Sequence, residues 1–171
     1  MKEGKFRTAP QNRYLEDFVE GAVHEFGPIT ITEDEIVQFG KKFDPQVFHT
    51  DPNGAKKTVY GGLIASGWHT CGIFMRLFVK HYLPDHASLG SPGVDELRWL
   101  KPVRPDDELR LRITVHKVKP SRSKPDRGVL FSFCEMLNQE SQVVATMMAM
   151  NLIRYRGTRC VEGVNESISR R

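Results

Sequence analysis

Apolar and polar positions alternate cleanly between Leu109 and His116. Leu109, Leu111, Ile113 and Val115 take one phase; Arg110, Arg112, Thr114 and His116 take the other. That period of two predicts a half-buried strand. Residues 129–137 and 143–155 read as two further strands, joined at residues 138–141. The second of these is nearly continuous in apolar residues, so it is expected to be central and covered on both faces. Residues 94–100 form a shorter strand, with Pro92-Gly93 before it and Pro102 after it. Between strands, residues 117–128 (KVKPSRSKPDRG) predict a charged turn or long hairpin loop.

The first half of the chain has a different period. Thr32 and Glu35 have the spacing of a capping box, and Ile36, Phe39 and Phe43 then recur at helical spacing. Pro45 disfavours helical geometry at Asp44, so this helix is expected to stop there. Residues 51–54 (DPNG) mark a turn. A long helix is expected from Gly62 to about residue 82, apolar over most of its circumference and therefore surrounded on most sides. Gly67 and Gly72 inside it predict close approach of another backbone. Upstream, residues 22–26 alternate weakly and read as a short strand bounded by Gly27-Pro28. Residues 14–18 fit either a short helix or an extended arm, and residues 1–13 are polar and expected to be loose.

A long helix followed by an antiparallel meander is an α+β pattern. A curved antiparallel sheet wrapped around one long central helix satisfies it. The expected division is an N-terminal arm over 1–19, one domain over 20–155 and a disordered tail over 156–171.

Composition narrows the class. A chain of 171 residues, 39% hydrophobic, is ordinary for one globular domain. The net charge of +4 is too small to mark a nucleic-acid binder, though it suits a phosphate-bearing small molecule. The three cysteines, Cys71, Cys134 and Cys160, are far apart and odd in number. They suggest neither a disulfide framework nor a zinc site, and a reducing, cytoplasmic setting is expected. No apolar stretch opens the chain, so no signal peptide is expected, and the polar residues interrupting the long helix argue against a membrane span.

The chemistry concentrates between Phe43 and Thr70. Asp44 and His49 stand five residues apart at a helix stop. Their apolar neighbours Phe43, Val47 and Phe48 would desolvate the pair and move both groups toward use near neutrality. Gly61-Gly62 then leads the long helix. The first amides of a helix lack internal partners, so Gly62 can offer its N–H to a carbonyl oxygen that develops charge. Ser66 and Thr70 share a helix face, with His69 beside it. They either bond within the core or support the dyad. A Ser-His-Asp triad lacks its GxSxG elbow here. The basic residues Arg110, Arg112, Lys117, Lys119, Arg122, Lys124 and Arg127 read as a solvated hairpin, or alternatively as contacts to coenzyme phosphates. No dinucleotide fingerprint or phosphate loop is present.

Asp44-x4-His49, Asp51-Pro52, the segment GGLIASGWHT and the strand end Lys101-Pro102-Val103-Arg104-Pro105-Asp106-Asp107 together resemble the MaoC-like acyl dehydratases. These are single-hotdog relatives of R-specific enoyl-CoA hydratases. The resemblance covers residues 20–155. It implies a hotdog fold, edge-to-edge homodimers and reversible hydration of a 2-enoyl thioester such as an acyl-CoA. By position, it implies Asp44 and His49 as the catalytic dyad, Gly62 as donor to the thioester oxygen, and Ser66 and Thr70 as supporting hydroxyls. In such a mechanism the dyad holds one water; one member takes its proton and the other handles the proton at the α-carbon. No metal or redox cofactor is implied. The chain departs from the usual Asp-x-Asn-Pro-x-His, with Pro45 and Gln46 in place of that turn. Two other readings use the same parts: an acyl-CoA thioesterase, and a non-catalytic acyl-thioester-binding module.

Overall fold

The computed structural model describes residues 2–3 and 6–157. Six strands form one sheet in the order β1-β2-β4-β5-β6-β3. They are β1 (Lys2–Glu3), β2 (Ala22–Thr30), β3 (Gly93–Trp99), β4 (Glu108–Pro120), β5 (Arg127–Leu137) and β6 (Val143–Arg154). All neighbours pair antiparallel except the short β1, which runs parallel to β2. Among the described residues, four α-helices precede β3: α1 (Glu33–Phe43), α2 (Val47–Thr50), α3 (Pro52–Ala55) and α4 (Gly67–His81).

The alternation read in β4 is realised: Leu109, Leu111, Ile113 and Val115 are fully buried. They face Leu130, Cys134 and Met136 of β5, Val144, Met147, Ala149 and Ile153 of β6, and Ile73, Phe74, Leu77 and Phe78 of α4, in one continuous core. A single long helix against the inner face of a curved antiparallel sheet is the hotdog arrangement. β6 lies inside the sheet, but it is covered on one face only. Its outward side chains, Met148, Met150 and Leu152 among them, are half-buried. They are apolar without a second layer above them, which is why their pattern suggested one.

Other boundaries move for physical reasons. β2 does not stop at Gly27-Pro28; a bulge between Phe26 and Ile29 absorbs these residues, and pairing with β4 resumes at Ile29 and Leu109. The polar N-terminal arm is packed from residue 6 onward rather than loose. Leu15 and Phe18 enter the core, and residues 15–17 form a single 3-10 turn. The buried guanidinium of Arg13 donates to the carbonyls of His81 and Tyr82 at 3.0 and 2.6 Å and to Thr8 O at 3.0 Å, closing the C-terminus of α4. The expected C-terminal tail falls outside the described residues, apart from 156–157.

α4 is also not surrounded on most sides. One face is buried, while Trp68, Met75 and Val79 are 61%, 47% and 49% exposed. Val94, Trp99 and Leu100 on and beside the edge strand β3 are exposed as well. A Cβ at Gly72 would meet nothing within 4 Å, so no backbone approaches there. Among the described residues, no helix is long and apolar enough to cross a membrane.

Candidate active site

α1 begins as its sequence predicts. Thr32 accepts from the Glu35 amide, and Glu35 returns a bond to the Thr32 amide. It ends at Asp44, whose amide still bonds to Gly40 O while its backbone turns out of the helix before Pro45. The chain re-enters a single helical turn, α2, and the amide of His49 bonds to Gln46 O at 2.9 Å. Gly40 makes room for this return: a Cβ there would lie 2.6 Å from the carbonyl oxygen of His49.

Asp44 and His49 meet, with 3.3 Å between Oδ2 and Nε2. His49 is only 4% exposed. Its Nδ1 lies 2.8 Å from the carbonyl oxygen of Ile64. A carbonyl can only accept, so Nδ1 carries the proton and, in the neutral ring, Nε2 presents its lone pair toward Asp44. Ile64 is itself pinned, its amide donating to Phe48 O at 3.0 Å.

Two donors hold the carboxylate. Ser66 Oγ donates to Asp44 Oδ2 at 2.7 Å, and Gln46 Nε2 donates to Oδ1 at 2.8 Å. These hydrogen bonds, Ser66 foremost, hold the Asp44 carboxyl below the usual carboxylate range against the opposing effect of burial, with a smaller contribution from His49. Gln46 is therefore a direct partner of Asp44. That contact depends on the turn made by Pro45 and could not be read from spacing.

The pair opens on a cavity of about 510 Å³, lined among others by Tyr60, Ile64, Trp68, Thr70, Trp99 and Val144. The helix that meets this cavity begins at Gly67, not at Gly62. Residues 62–66 stay outside the helix, and the amides of Ile64 and Ala65 bond to Phe48 O and Val103 O instead. Ser66 is the N-cap of α4, its hydroxyl accepting from the Trp68 amide at 3.2 Å. Gly62 is absent from the cavity lining, whereas Gly67 belongs to it. A side chain at Gly67 would collide with the Trp99 ring at 2.4–2.7 Å, and Trp99 Nε1 donates to Gly67 O at 3.0 Å. The close approach expected at this glycine is therefore to an indole rather than to another backbone.

The other sequence candidates separate. Thr70 lines the cavity, but its hydroxyl bonds back to Ser66 O at 3.3 Å and reaches neither dyad member. His69 points elsewhere, stacked on Phe39 with centroids 4.7 Å apart, and burial depresses its pKa. Arg110, Arg112 and Arg127 pair with Glu25, Glu135 and Asp126, and none of them lines the cavity. The solvated reading of the basic stretch therefore fits these three. Among the described residues, Lys101 is the one Lys or Arg in the cavity lining. Among the described residues, no group of three or more His, Cys, Asp or Glu side chains is placed to hold a metal.

A family model described as "MaoC like domain" matches residues 17–130. The uncharacterized protein YdeM of Bacillus subtilis (strain 168) is 30% identical over 126 residues, which span 74% of this chain and 88% of that protein. The crystal structure of a MaoC-like dehydratase from Rhodospirillum rubrum superposes with a TM-score of 0.79 at 38% identity, covering 85% of this chain and 99% of the other. The unliganded R-hydratase PhaJ1 from Pseudomonas aeruginosa superposes with a TM-score of 0.66, covering 91% of this chain and 96% of its own; at 20% identity that likeness is one of fold.

Proposed function

This chain belongs to the MaoC-like dehydratase family, and we propose that it adds water reversibly across the double bond of a 2-enoyl thioester, with an acyl-CoA as the expected substrate. The observation that carries this reading is the Asp44–His49 pair, 3.3 Å apart at the wall of a cavity that also receives the N-terminus of α4.

The two facing atoms, Asp44 Oδ2 and the bare His49 Nε2, are both acceptors. A water molecule has two protons to give and satisfies both. Held there, its oxygen is free to attack the β-carbon of the enoyl group. His49 Nε2 takes the proton as the C–O bond forms, and the imidazolium is stabilised by the ionised Asp44 beside it. The same proton then passes to the α-carbon, so that water has been added and the dyad restored. Asp44, doubly hydrogen-bonded and of low pKa, serves as the fixed charge that orients the water. The amide of Gly67 is free of intrahelical partners by its position at the start of α4. It is the donor this reading assigns to the thioester oxygen, where the enolate charge develops.

The same reading takes the exposed apolar residues of α4 and of the open edge strand β3 as the contact face of a homodimer. The reaction is tested by incubation with crotonyl-CoA in ¹⁸O-water. Hydration places the label in a new β-hydroxyl group of an intact thioester. Label in a free carboxylate would make the protein a thioesterase instead.

A further inference from the structure

The cavity stops abruptly along α4. Its lining takes Gly67, Trp68 and Thr70 from the first turn and nothing from residue 73 onward. On the sheet side it takes Val144 but not Met147, the next inward residue but one along β6. The space behind is occupied. Phe74 lies four residues beyond Thr70, on the same helix face, and is 2% exposed. Helical side chains lean toward the N-terminus of their helix, so the Phe74 ring covers the turn that carries Thr70. Phe74 stacks on Phe78 with centroids 4.8 Å apart, and Phe78 on Tyr82 at 5.1 Å. Tyr82 is tied at its far end by a 2.9 Å hydrogen bond between its hydroxyl and Ser132 Oγ, and Phe18 packs edge-on against it at 5.2 Å. Three aromatic rings in series are thus packed in the core beyond the cavity, and the last is anchored.

We infer that Phe74, packed behind the Thr70 wall, blocks extension of the acyl site and that this column restricts the protein to short-chain acyl thioesters. The inference rests on the hydratase reading for its chemistry. It rests only on the packing of α4 for its length limit. From Gly67 to Thr70 the helix rises less than one turn of about 5.4 Å. With carbon–carbon bonds of about 1.5 Å, that depth takes about three bonds, an acyl chain of about four carbons counted from the thioester carbonyl. A column of stacked rings fixed by a hydrogen bond cannot yield one ring at a time without opening a void.

Two measurements on the full chain separate the length limit from the reaction. In hydration assays with crotonyl-, hexenoyl-, octenoyl- and decenoyl-CoA, the wild type is expected to lose at least about a hundredfold in kcat/KM between the four- and ten-carbon substrates. Phe74→Leu, which keeps an apolar side chain and shortens it, is expected to recover at least about tenfold of that loss on octenoyl-CoA. Titration calorimetry with butyryl-, hexanoyl-, octanoyl- and decanoyl-CoA gives the second readout. A blocked site predicts affinity that stops rising beyond about four carbons, whereas an open one gains about fourfold for each added methylene. Comparable hydration of crotonyl- and decenoyl-CoA, or affinity that climbs steadily to ten carbons, would overturn the inference. Absence of hydration at every length, with binding that levels off, would overturn the hydratase reading and leave the length limit standing.

Discussion

Ser66 Oγ lies 2.7 Å from Asp44 Oδ2 and also accepts the amide of Trp68 at 3.2 Å. One hydroxyl therefore fixes the start of α4 and the position of the carboxylate together. Removing it in Ser66→Ala takes away the main cause of the low Asp44 pKa. A carboxyl held below its unfolded value adds stability above that value and loses it as pH falls through the folded one. Ser66→Ala is thus expected to shift the acidic limb of the kcat/KM profile to higher pH and to lower turnover by about tenfold to a hundredfold. An unmoved limb would show that Asp44 ionisation does not depend on this bond.

Gln46 makes the second bond to Asp44, at 2.8 Å, from an exposed position. Gln46→Ala is expected to move the acidic limb in the same direction as Ser66→Ala but by less. Gln46→Glu sets a like charge beside Asp44 and is expected to move it further. An acidic limb left at its wild-type position by Gln46→Ala would remove the hydrogen bond as a cause.

Gly40 separates steric from helical effects. In an exposed helix interior, alanine in place of glycine stabilises by about 1 kcal/mol. Here the added Cβ would meet His49 O at 2.6 Å. Gly40→Ala is expected to destabilise by about 1–3 kcal/mol in urea titration and to displace His49, with a larger fractional loss in turnover than in folded protein. A stabilised, fully active variant would contradict this.

Arg13 acts at the other end of α4. Burial lowers its pKa to about 10, which leaves it charged at neutral pH. Arg13→Met deprives the carbonyls of His81, Tyr82 and Thr8 of their donor. The expected cost is about 2–4 kcal/mol, read as a lower urea midpoint at unchanged KM. An unchanged midpoint would mean that other groups close the helix.

Local signals carried much of this fold. The Thr32–Glu35 box and Pro45 bound α1 within the chain's own first neighbours, and the alternation of β4 survives because one face meets the core and the other meets solvent. Where tertiary partners decide, the sequence was silent or misleading. Gly61-Gly62 looks like a helix start, yet Ile64 and Ala65 spend their amides on Phe48 and Val103, and the helix waits for the Ser66 cap. Arg13 lies in a polar arm, and nothing nearby in sequence signals the carbonyls 68 and 69 residues away that bury it. The dyad was legible because a helix stop and a short return are local. Gln46 as its partner was not, since only the folded turn brings the amide back to the carboxylate.

Hydration by the Asp44–His49 pair is tested most directly by turnover of crotonyl-CoA by wild type, Asp44→Asn and His49→Ala, followed by enoyl absorbance with free thiol measured in parallel. The wild type is expected to remove the enoyl absorbance without releasing thiol. Both variants should stay folded and lose at least about a thousandfold in kcat. Thiol release by the wild type, or near-normal hydration by either variant, would contradict it.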